Sequence, residues 1–124
     1  QIYISTGLGG KGEKLRFYVL ILANELKPFL EYQKKVIERE FPYSLEKAGC
    51  EIERLTIGEK YMELVFLIPV RADIKQALDK VINECNQYGN FLSQVFTITN
   101  VKELSAEEVE EIIKKNGGNS QASH

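Results

Sequence analysis

The chain has no tryptophan, one methionine, three prolines, two cysteines and a single histidine, which is its last residue, His124. Without an internal histidine it lacks the side chain that most often moves protons at neutral pH and most often ligates transition metals. The two cysteines, Cys50 and Cys85, are far apart and form no paired-cysteine motif. They read as small core residues, Cys85 on the apolar stripe of a helix and Cys50, after Gly49, as the more exposed of the two. The spacing leaves a disulfide between them open. With no signal peptide visible, a reducing cytoplasm is the expected compartment, although the sequence begins at Gln1 and not at Met.

Long hydrophobic runs are missing too. The longest, Phe17 to Ala23, is far short of the ~18 residues of a membrane-spanning helix, so no membrane is expected. Nor is there an excess of one charge: sixteen basic and eighteen acidic residues give a net charge of −2. That balance lacks the overall electrostatic footprint of a nucleic-acid binder and leaves only a local basic patch.

What is present is ordinary globular material, 44% hydrophobic and 27% charged in 124 residues. A chain of this size buries about two thirds of its unfolded surface and needs no staple to fold. Ile2 to Thr6 alternates like a short strand, and four glycines within Gly7 to Gly12 interrupt it. Leu15 to Leu22 is apolar on both faces and rich in aromatic and β-branched residues, as in a central strand. Asn24 is placed to cap a helix, with Pro28 in its first turn and a stripe of Leu26, Phe29, Leu30, Val36, Ile37 and Phe41. Pro42 is expected to end that helix, with one further turn from Ser44 to Ala48 closed by Gly49.

Cys50 to Ile57 and Tyr61 to Val70 read as strands joined by a tight hairpin at Gly58-Glu59-Lys60. Asp73 with Gln76 starts a helix that Gly89 ends, and Phe91 to Thr99 alternates as another strand. Ser105 with Glu108 forms a second capping box before a short helix expected to stop at Asn116-Gly117. The order β-α-β-β-α-β implies an α+β domain, a ferredoxin-like antiparallel sheet with both helices on one face. The first short strand and the last helix are additions to it. Residues 1–116 form one domain, and 117–124 read as a flexible polar tail, in part an added sequence.

Chemistry is harder to find. Gly7, Gly9 and Gly12 match G-x-G-x-x-G, and with Gly10, Lys11 and Lys14 they are the candidate site for a small anionic ligand such as a phosphate ester. Against this, Glu13 to Leu22 looks like strand, so no helix N-terminus faces the loop, and a simple hairpin connection outweighs phosphate binding. Lys11, Lys14 and Arg16 beside Phe17 and Tyr18 invite comparison with RNA-binding sheets, but adjacent aromatics point to opposite faces and the overall acidity weighs further against nucleic acid. Glu51, Glu53, Glu59 and Glu63 read as an exposed hairpin end, and Glu103, Glu107, Glu108, Glu110 and Glu111 as a solvated helix start.

No catalytic residue, metal ligand or cofactor is assigned, and an enzyme is disfavoured. The expectation is a small soluble binding or regulatory module that acts by contact with a protein partner or with itself. A homodimer would cover the sheet face that two helices leave open. Two alternatives stand beside it: a protein or enzyme binding a phosphorylated small molecule on the glycine loop, and RNA binding on the sheet face.

Overall fold

In the computed structural model, which describes residues 13–122, the doubly apolar stretch forms a ten-residue strand, β1 (Lys14–Ala23). Helix α1 (Glu31–Lys47), strands β2 (Glu51–Ile57) and β3 (Tyr61–Pro69), helix α2 (Ile74–Asn86), strand β4 (Leu92–Thr99) and helix α3 (Ala106–Ala122) follow. The sheet order is β2-β3-β1-β4, and every pairing is antiparallel. The expected first strand at 2–6 and the glycine loop lie outside the described residues.

Alternation along the central strands sorts side chains to two faces. Val19, Ile21 and Ala23 of β1 join Met62, Leu64, Phe66 and Ile68 of β3 in the main core, closed by Val36, Ile37, Phe41 and Leu45 of α1 and Leu78, Val81, Ile82 and Cys85 of α2. Tyr18, Leu20 and Leu22 point the other way with Val65, and α3 covers them with Val109, Ile112 and Ile113, joined by Leu104 just before it. The apolar part of each side of the sheet is therefore covered by helix. This removes the argument for a homodimer, which rested on an outer face left open.

Three local expectations are corrected. Asn24 does not cap α1: residues Asn24–Leu26 form a 3-10 turn in which Glu25 and Leu26 have φ of 57° and 55°. The turn lets Leu26 reach the α3-side cluster while Phe29 reaches the main core. Pro28 thus precedes the helix, which begins where the Gln33 side chain accepts the Leu30 amide at 2.8 Å. Second, Pro42 lies inside α1 and does not end it; Phe41 and Leu45, both 0% exposed, anchor the turns around the missing hydrogen bond. Third, α3 runs on past Asn116-Gly117 to Ala122. Cys50 and Cys85 are both buried, at 4% and 0% exposure, as expected of small core residues, and both are free thiols.

Other start and stop signals are used as read. Asp73 accepts the Gln76 amide at 3.2 Å. Ser105 and Glu108 exchange both bonds of a capping box, at 2.8 and 3.1 Å. Gly49 has φ of 87°, a conformation that only glycine adopts without strain. Among the described residues, no helix is long and apolar enough to cross a membrane.

Candidate nucleic-acid interface

The apolar stripe of α3 covers only part of its side of the sheet. Beyond it, the same face of β1 continues into Arg16 and Lys14, whose register partners on β3 are Leu67 and Pro69. A register shift in β2 adds a third cation. Ile52 pairs with Phe66 and Arg54 with the adjacent Val65, so Glu53 is the extra residue of a bulge. Without the bulge Arg54 would share the main-core face with Ile52. With it, Arg54 shares the α3 face with Val65.

These groups meet acidic partners one by one. Lys14 Nζ lies 2.5 Å from Glu51 Oε2, and Arg16 Nε donates to Glu53 Oε1 at 2.8 Å. The segment between β4 and α3 then brings Glu103 to both arginines. Arg54 donates to Glu103 Oε1 at 2.6 Å and to Oε2 at 3.3 Å, and Arg16 donates to the same Oε2 at 3.2 Å. One carboxylate thus takes three N–H bonds from two guanidinium groups, the bidentate geometry that also fits a phosphate. Hydrogen bonds from Arg54, with those from Arg16, hold the Glu103 carboxyl below its usual range. Arg54 is raised chiefly by Glu103 and Arg16 chiefly by Glu53.

Tyr18 forms the floor. The residue is 2% exposed, and its hydroxyl donates to Glu63 Oε2 at 2.5 Å. Burial, reinforced by the Glu63 carboxylate, pushes its ionisation well above the usual tyrosine value. Beside it is a small cleft of about 80 Å³ lined by Arg16, Tyr18, Thr99, Asn100, Val101 and Lys102. A larger cleft of about 410 Å³ lies by Asn24, Lys27, Gln33 and Phe91, but its one lysine, Lys27, is paired with Glu25. Two guanidinium groups share one carboxylate at the Arg16–Arg54 end of the sheet. Among the described residues, no group of three His, Cys, Asp or Glu could hold a metal ion.

Of the residues singled out in the sequence, Gly7, Gly9, Gly10, Lys11 and Gly12 lie outside the described residues, while Lys14 joins the charged cluster. Phe17 packs against the main core and Tyr18 against the α3-side cluster, so the two do point to opposite faces. Glu51, Glu53 and Glu63 are each held by a partner. Sequence reasoning missed Arg54, because a bulge decides its face, and took Glu103 for part of a solvated helix start.

No family model and no curated protein matches the sequence. Among the solved structures that share the fold are the following two. One is a putative transposase from Deinococcus radiodurans R1, with a TM-score of 0.71 at 13% identity over 90% of this chain and 97% of the other. The second is a REP-associated tyrosine transposase bound to a REP hairpin, with a TM-score of 0.60 at 10% identity over 90% of this chain and 67% of the other. At such identities the likeness is one of fold.

These neighbours overturn two expectations, the self-associating regulatory module and the weighing against nucleic acid. The second rested on a net charge of −2. Net charge sums over the whole surface, whereas a phosphate contact depends on which cations converge on one spot. Here Arg16 and Arg54 meet on one carboxylate with Lys14 on the same face of β1, and their acidic partners conceal all three in the sum.

Proposed function

We propose that this chain is a DNA-binding module of the transposase type, which grips the phosphate backbone on the charged end of the α3-covered sheet face. The observation that carries the reading is the convergence of Arg16 and Arg54 on one oxyanion position, in a fold shared with two transposases, one of them bound to a hairpin. The element order and the sheet order are read as a ferredoxin-like arrangement, with α3 added on the second face. Cys50 and Cys85 as free thiols accord with a reducing, cytoplasmic setting.

The mode of binding follows from what this face offers. Among the described residues the large exposed tyrosines are Tyr32 and Tyr43 on α1 and Tyr88 just after α2, and Tyr18 and Tyr61 pack into the α3-side cluster. Stacking on bases therefore has little support here, and contacts to phosphate dominate. The same burial argues for binding without strand cleavage by Tyr18. A nucleophilic tyrosine needs an accessible, ionisable hydroxyl, whereas that of Tyr18 is covered and committed to Glu63.

Fluorescence anisotropy with a labelled DNA hairpin carrying a single-stranded flank tests this. Affinity is expected to fall steeply with salt. Arg16→Gln with Arg54→Gln is expected to abolish most of it and to reduce the log–log salt slope by about 0.7 to 0.9 for each phosphate no longer neutralised. Absence of salt-sensitive binding to hairpin, single-stranded and duplex DNA alike would reject the reading. Release of a cleaved strand that stops in Tyr18→Phe would reject the non-cleaving part of it.

A further inference from the structure

We infer that the carboxylate of Glu103 occupies the place of a backbone phosphate, so that DNA binds to Arg16 and Arg54 by exchange with the chain's own side chain. The inference rests on the DNA-binding reading and adds to it the position of one phosphate and the group that competes for it.

Three observations support it. The Glu103 carboxylate is bound as an oxyanion ligand is bound, by three N–H donors from two strands that only the β2 bulge brings to one face. It is also readily exchanged: its side chain is 35% exposed, and it belongs to the stretch 100–105, which has neither helix nor strand. Third, the carboxylate can leave while the backbone stays. The neighbouring Leu104 packs into the α3-side cluster, and Ser105 begins the capping box of α3. A rotamer change at Glu103 therefore opens the site without lifting the helix.

Departure of Glu103 would free the Arg54 fork and one amino group of Arg16, while Glu53 keeps the Arg16 Nε. The opened position is flanked by Lys14 and Lys102, which are paired with Glu51 and Glu108 in the absence of DNA.

The test compares wild type, Glu103→Gln, Arg16→Gln/Arg54→Gln and the triple variant against the labelled hairpin, with circular dichroism as the check on folding. Glu103→Gln keeps the size of the side chain and removes the competing charge; it is expected to bind roughly tenfold tighter than wild type. In the double-arginine background the same change is expected to gain nothing. If Glu103→Gln fails to fold, Glu103→Asp serves: it keeps the charge on a shorter arm and should bind more tightly by a smaller factor. Equal or weaker binding by a folded Glu103 variant, where wild-type binding depends on the arginines, overturns the exchange and leaves the DNA reading intact. Wild-type binding that ignores both arginines overturns the site and moves the interface elsewhere. Failure of every variant to bind any DNA overturns both. A response of Glu103→Gln to inorganic phosphate with none to the hairpin assigns the site to free phosphate and rejects the inference.

Discussion

The two faces of the sheet are built from alternate residues of the same strands, yet they differ in kind. On the α1–α2 side, Val19, Ile21, Met62, Leu64, Phe66 and Ile68 are apolar and at most 2% exposed. On the α3 side, Leu20, Leu22 and Val65 are buried as well, but the row continues into Tyr18, Arg16 and Lys14 with Glu63 and Arg54 beside them. The first half of α3 supplies Val109, Ile112 and Ile113, and where that stripe stops the charges begin. One face holds the fold together. The other divides its length between packing and a cluster of paired charges.

The largest expected effect tests the first face. Phe66→Ala removes a fully buried ring from beneath the two-helix layer and should cost about 3–5 kcal/mol in urea unfolding. Leu20→Ala, under the single helix α3, should cost less, toward about 2 kcal/mol, because one helix can settle inward more easily than two helices packed on each other. Equal costs would show that α3 is as rigidly packed as the α1–α2 layer.

The next effect separates the faces by chemistry. Tyr18→Phe leaves the ring in place but deprives the Glu63 carboxylate of its hydroxyl donor, at a cost of about 1–3 kcal/mol. The hydroxyl also gives an alkaline signature. Its folded-state pKa is raised above the usual 10.0, so its contribution is complete below that pH and is lost as pH rises through the folded value. On the opposite face, burial first of all pushes the Cys85 thiol from 9.0 up to about 12, so its contribution is lost as pH climbs over that interval. Stability measured against pH should therefore begin to decline near pH 9, less steeply in Cys85→Ala, and with the steeper part above pH 10 relieved in Tyr18→Phe. A decline unchanged in both variants would mean that neither group carries the linkage.

Much of the first face could be read from residues alone, and little of the second. Periodicity and caps located the described strands and the three α-helices, because Asp73, Ser105 and Gly89 act through local geometry that sequence encodes directly. The start of α1 escaped because Asn24 spends its side chain on the carbonyl of Asn90 at 3.0 Å, a partner distant in sequence. Pro42 misled because tertiary burial of Phe41 and Leu45 outweighs a local breaker. The site escaped for a related reason. A bulge at Glu53 reverses the face of Arg54, and pairing across 49 residues joins it to Glu103; neither is visible in the pattern of a single strand. The glycine loop drew attention because its motif is contiguous.

The smallest effect is also the one that discriminates best between the two roles of the α3 side. Ser105 caps α3, and the bonds Glu108 makes with Ser105 hold its carboxyl below the usual range. Ser105→Ala should cost only about 1 kcal/mol. The contribution of Glu108 is present above 4.5 and lost as pH falls through its folded value; because the Ser105 backbone amide that chiefly holds it survives in Ser105→Ala, the acid limb of the stability curve should persist in that variant and shrink in Glu108→Gln. Ser105 also fixes the backbone two residues beyond Glu103, and fraying the first turn of α3 loosens the hold of Glu103 on Arg16 and Arg54. Stability and DNA affinity should then move in opposite directions, the protein slightly weaker and the hairpin slightly tighter, as read by thermal melting and anisotropy on the same samples. A variant that loses both would show that α3 helps to form the DNA site and does not merely border it.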